Sequence, residues 1–155
     1  MKKILYSACM ILAVCAAFVS CQKDVVTGHN PADNLYPQKD VVGVYEGQWC
    51  RTLDGVTDTI DGSLTLVAVD TAAFQVEVSV LCESISLTGT SVANIAQEGS
   101  HGYVFYNMSS SNGLGADNFR GRVQDDVATI DFKKSMRAGR FEKVFTFHFS
   151  GIKAE

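Results

Sequence analysis

The chain has 155 residues, 13 Lys and Arg against 17 Asp and Glu, and a formal net charge of −4. It carries no basic arm and no acidic tail, which argues against a nucleic acid as partner. One domain of ordinary size accounts for most of the length, and such a domain buries about two-thirds of its unfolded surface without disulfide or metal staples.

The first twenty-one residues fall into three parts. Lys2 and Lys3 open the chain, Ile4 to Phe18 is uncharged and largely apolar, and Val19-Ser20-Cys21 follows. This is the layout of a secretory signal, and its apolar stretch is shorter than the ~20 residues a spanning helix needs. A cysteine directly after a small residue resembles the lipobox of bacterial lipoproteins, although Phe18 stands where leucine is usual. The resemblance implies cleavage after residue 20, a diacylglycerol on the Cys21 thiol and an acyl chain such as palmitate on the freed amine. Two or more chains make a stable anchor, so the mature protein is expected on a membrane without spanning it. Gln22 replaces the aspartate that usually retains lipoproteins at the inner membrane. Gln22-Lys23-Asp24 also resembles the short charged export signals of some gut-dwelling diderm bacteria. The expected location is the cell outer membrane, lipid-anchored, with the outward face preferred over the periplasmic one.

Loss of Lys2 and Lys3 takes the mature charge to −6. Residues 21–40 read as the lipidated N-terminus and a flexible tether, because residues 22–40 hold both prolines (Pro31 and Pro37) and show no hydrophobic period. Nineteen such residues would span roughly 24 Å. Residues 41–155 are the expected domain. Charge along it is uneven: residues 40–100 carry nine acids and only Arg51 as a base, whereas residues 117–155 carry eight Lys and Arg with six acids.

From residue 41 onward the dominant period is two. Phe74, Val76, Val78 and Val80 alternate with polar residues, as do Ala128, Ile130 and Phe132, and Phe145, Phe147 and Phe149. Alternation of this kind means strands with one face in a core and one in water. Eight strands are predicted near 42–51, 58–69, 73–82, 84–92, 102–109, 117–124, 127–134 and 141–150. Short connections make neighbours antiparallel. The sixth and seventh can be registered, with Phe119, Gly121 and Val123 inward against Phe132, Ile130 and Ala128, Asp125-Asp126 as the turn, and Arg120 opposite Asp131 outside.

Eight sequential antiparallel strands form either a closed up-and-down barrel or a two-sheet β-sandwich, and closure removes the edges that invite aggregation. Gly47-Gln48-Trp49 resembles the Gly-x-Trp of lipocalins and the wider calycin group. Gly43 to Gly47, Ser63 to Leu66 and Phe147 to Gly151 resemble calycin-like lipoproteins of gut commensals. The resemblance implies an all-β, eight-stranded calycin-like barrel with Trp49 plugging its closed end. The chain departs from the group in being short, in having no C-terminal helix and no Thr-Asp-Tyr motif, and in lacking an arginine on the last strand; Arg140 and Lys143 are the nearest substitutes.

Cys50 and Cys82 remain after processing, and a disulfide is possible outside the cytoplasm. Two strand spacings, roughly 9–10 Å, and opposite facing argue for free thiols instead. His29, His101 and His148 show no convergent ligand spacing, so no metal is expected, nor any cofactor. Ser109, Ser110 and Ser111 before Asn112-Gly113 read as a mobile loop. Without a nucleophile–base pair or phosphate cradle the chain is expected not to be an enzyme. Lys133, Lys134, Arg137, Arg140 and Lys143 near the last hairpin could meet an anion, although a solvated loop explains them. Tyr45, Trp49, Phe74, Phe105, Phe119, Phe132, Phe145, Phe147 and Phe149 could line a ligand cavity or fill a small barrel. Thr59 and Thr71, each after an aspartate, resemble bacterial O-glycosylation acceptors. The expected role is a non-enzymatic binding or accessory module. Its ligand would be a small apolar molecule or a glycan in the barrel, or its partner a protein on the outer face of a filled one.

Overall fold

The structure is a computed structural model that describes residues 35–155. The signal segment, Cys21, the export signal, Pro31 and His29 lie outside the described residues. A single turn of helix, α1 (Pro37–Asp40), is followed by β1 (Gly43–Leu53), β2 (Val56–Ala68), β3 (Gln75–Cys82), β4 (Leu87–Glu98), β5 (Gly102–Asn107), β6 (Ala116–Gln124), β7 (Val127–Ala138) and β8 (Phe141–Lys153). All neighbours are antiparallel, and β1 pairs with β8 from Tyr45↔Lys153 to Thr52↔Thr146. The sheet is therefore a closed barrel in sequence order, not a sandwich.

The β6–β7 register is the one read from the pattern, with Phe119↔Phe132, Gly121↔Ile130 and Val123↔Ala128. Asp125 takes a left-handed φ of 52° in the tight turn. Arg120 does stand opposite Asp131, yet the Asp131 carboxylate takes its partner from the other flank, where His148 Nδ1 lies 2.7 Å from Oδ1.

Small residues explain how so many rings fit. Gly62, Gly47, Gly151 and Ala128 occupy one inward row across β2, β1, β8 and β7. Rings from the next row lie over them: an added Cβ would fall 2.6 Å from the Trp49 ring at Gly62 and 2.4 Å from the Phe149 ring at Gly151. On β6, the Phe105 ring occupies the place of a Gly121 side chain, at 2.1 Å. Alternating small and large inward positions is how a narrow barrel is filled.

Two expectations are corrected. The fold begins before residue 41, because Pro37 and Gln38 of α1 are buried and α1 packs against β2 and β4. Asp40 also accepts a hydrogen bond from Tyr103, at 2.5 Å. Phe74 is not in the core but 55% exposed. It belongs to the β2–β3 connection, where Gln75 N donates to Ala72 O and Ala72 N to Val69 O. Paired strand starts only at Gln75, so parity carries Phe74 past the last inward place that the core covers.

Candidate functional site

The chain enters at one end of the barrel, with α1. There the Tyr45 hydroxyl donates to Val41 O at 2.8 Å, and both residues are fully buried. Burial, and next the Asp126 carboxylate, push the Tyr45 phenol up to about 12. Tyr45 and Val41 thus fill the closed end. Trp49 stands four positions further along β1, roughly 13 Å inward at strand rise, so it packs mid-barrel instead of plugging the end as the resemblance implied.

Of the nine aromatics proposed as cavity lining, eight are buried in one core: Tyr45, Trp49, Phe105, Phe119, Phe132, Phe145, Phe147 and Phe149. Five of them, Trp49, Phe132, Phe145, Phe147 and Phe149, stand ring against ring, Trp49 with Phe149 at 4.9 Å and Phe132 with Phe147 at 5.2 Å between centres. Rings at these separations leave no room for a ligand between those partners.

The opposite end is built unevenly. β2 leaves β3 at Ser63↔Leu81, so residues 56–62 pair with β1 alone. β6 last pairs with β7 at Lys134, so residues 135–138 pair with β8 alone. The β1–β2 and β7–β8 hairpins therefore project as a four-stranded apron beyond the rest of the barrel. On its inward-parity face lie Leu53, Val56, Met136, Ala138 and Phe141, with Phe141 73% and Val56 70% exposed. Deeper in, Arg51 pairs with Asp58 at 2.6 Å and stands over the Phe145 ring at 5.5 Å. Arg51 thus caps an aromatic ring. The two hairpin tips are joined by Lys143 Nζ and Asp54 Oδ2, 3.0 Å apart. A groove of about 490 Å³ runs between Leu53, Val56, Ala138 and Phe145. Lys134 shares this face; burial lowers its amine, which makes no ion pair among the described residues.

The β5–β6 connection closes the other side of the mouth. Its sequence reads as a mobile serine loop, but Asn112 is buried and organises it. The Asn112 amide donates to Ser109 O and Ala116 O at 2.7 and 2.8 Å. Its side-chain oxygen accepts from Leu114 N and Ala116 N at 3.1 and 3.3 Å. Leu114 is thereby delivered to the core. Asn-Gly signalled a turn, but the burial of the asparagine could not be read locally.

Among the described residues both cysteines are free thiols, Cys50 half-buried and Cys82 buried. The Cys82 thiol donates to Asp61 O at 3.4 Å. On the outer face, Asp131, His148, Cys50 and Thr59 succeed one another across β7, β8, β1 and β2. That row could not be found without the closure of β8 on β1. Thr59 is exposed on β2 and Thr71 exposed in the β2–β3 connection. His101 is exposed between β4 and β5. Among the described residues, no three His, Cys, Asp or Glu side chains converge as a metal site, and no helix is long and apolar enough to cross a membrane. Compared with family models, curated proteins and solved structures, the chain matches none.

Proposed function

We propose that this chain is a lipid-anchored, non-enzymatic accessory lipoprotein of a bacterial outer membrane, calycin-like in build, that binds another protein at the mouth of a filled barrel. The observation that carries this reading is the apron. It holds exposed Val56 on the wall of a groove and exposed Phe141 near the tip of the neighbouring hairpin, beyond a core that buries eight of the nine aromatics. A small apolar ligand would need space among those rings, so the filled barrel favours the protein partner. Exposed apolar residues gathered at one place mark interaction surfaces more often than isolated ones do.

Native mass spectrometry of the protein purified from its own host envelope tests the reading. The wild-type chain should retain a protein partner, and the double variant Phe141→Asp, Val56→Asp should lose it while staying folded. A retained small apolar molecule with no protein partner overturns the proposal, as does a partner held equally by the variant.

A further inference from the structure

We propose that Cys50 is a reactive thiol for exchange with small disulfides, with His148 as its base and Asp131 as the group that orients that base. The inference is independent of the protein-binding reading, because the site lies on the outer wall of the barrel. β8 places His148 directly opposite Cys50 on β1 and opposite Asp131 on β7. Side chains of directly opposed residues in an antiparallel pair have Cβ atoms about 4.5–5.5 Å apart, which brings the thiol and the imidazole within reach of each other. Asp131 Oδ1 lies 2.7 Å from His148 Nδ1. The carboxylate accepts the Nδ1 proton, and in the neutral ring Nε2 is then the acceptor. The Cys50 sulfur rests 3.8 Å from Thr59 Oγ1 on its other side; one χ1 rotation carries it between Thr59 and His148.

The co-substrate is a small disulfide that reaches the outer wall of the barrel, where Cys50 is half-buried and Thr59 beside it exposed. Cys82 offers no such site, being 1% exposed and turned into the barrel.

The step balances without any further oxidant. His148 Nε2 takes the Cys50 proton, and the thiolate sulfur attacks one sulfur of the disulfide. The Cys50 S–S bond forms as the original S–S bond breaks, and the departing thiolate takes the proton from the imidazolium. The products are a mixed disulfide on Cys50 and one small thiol.

The full chain is incubated with glutathione disulfide at neutral pH and sampled over time by peptide mass spectrometry. Cys50 should gain one glutathione while Cys82 gains none. His148→Gln keeps a hydrogen-bonding group but has no base, and should slow the reaction by about tenfold, below the ~10²–10⁴ of enclosed sites because this one is open to water. Asp131→Asn, a second variant on the same exposed face, should slow it in the same direction. Modification of Cys82 before Cys50 overturns the proposal. So does a His148→Gln rate within about threefold of wild type in a folded variant.

Discussion

Truncating Trp49 probes the packing of the barrel most directly. The residue is fully buried, its ring centre 4.9 Å from that of Phe149 and 5.8 Å from that of Phe132. Behind it is Gly62, which has no side chain to collapse into a void. Trp49→Ala therefore leaves most of the ring volume empty and should cost ~3–5 kcal/mol, the range for large aromatic truncations. With a urea slope of about 2 kcal/mol per molar, the unfolding midpoint falls by roughly 2 M. Trp49→Phe should behave quite differently. The indole Nε1 is buried without a hydrogen-bond partner, a situation that costs about 1–3 kcal/mol. Phenylalanine removes that donor along with part of the ring, so the gain offsets much of the smaller cavity and the net loss stays under about 1.5 kcal/mol. Both variants lack the single tryptophan, so unfolding is followed by far-UV circular dichroism. A phenylalanine variant as unstable as the alanine one would refute the unpartnered donor. An alanine variant within about 0.5 kcal/mol of wild type would refute the packed interior.

Four further outcomes are expected. The Tyr45 phenol, raised to about 12 from 10.0 by burial and Asp126, favours the neutral form in the folded state; its contribution to stability is complete below pH 10 and is lost as pH rises through about 12. A tyrosinate absorbance titration should show one of the five tyrosines ionising late, and Tyr45→Phe should abolish that step. Gly121→Ala places a Cβ 2.1 Å from the Phe105 ring and 2.6 Å from Thr129 O; because the second obstacle is backbone, thermal unfolding should show a loss of at least ~1–3 kcal/mol, as for overpacked cores. Asn112→Ala removes four hydrogen bonds from a buried loop; cleavage at residues 108–115 under limited proteolysis should accelerate about tenfold or more, the equivalent of ~1.4 kcal/mol in local opening. Cys21→Ser should abolish incorporation of labelled fatty acid; equal labelling of variant and wild type would refute the anchor.

Much of the strand content was legible because inward and outward positions alternate strictly. The β6–β7 hairpin could be registered from Phe119 to its turn, since hydrophobic parity and a two-residue turn admit only one pairing there, but not the register shift between Ala116 and Phe119. Parity failed where strands end. Phe74 keeps the alternation of Val76 and Val78, yet no core extends far enough to cover it. The buried Asn112 was hidden for a related reason: an Asn-Gly turn reads the same whether the asparagine faces water or satisfies the backbone of its own loop. Charge pairing was only partly legible. Arg120 and Asp131 do face each other, but a third strand supplies the histidine that takes the carboxylate.

Alternation, turn residues and chain length determined by themselves that the domain is all-β, antiparallel and eight-stranded, because those features depend only on which neighbours in the chain are apolar. Closure was decided by the tertiary structure. A sandwich and a barrel turn the same residues inward, and local pattern does not reveal whether Trp49 will pair with Phe149 one hundred residues later. From that single long-range seam follow the filled interior, the projecting apron and the row from Asp131 through His148 to Cys50. Each of them needs β8 beside β1, and no local preference places it there.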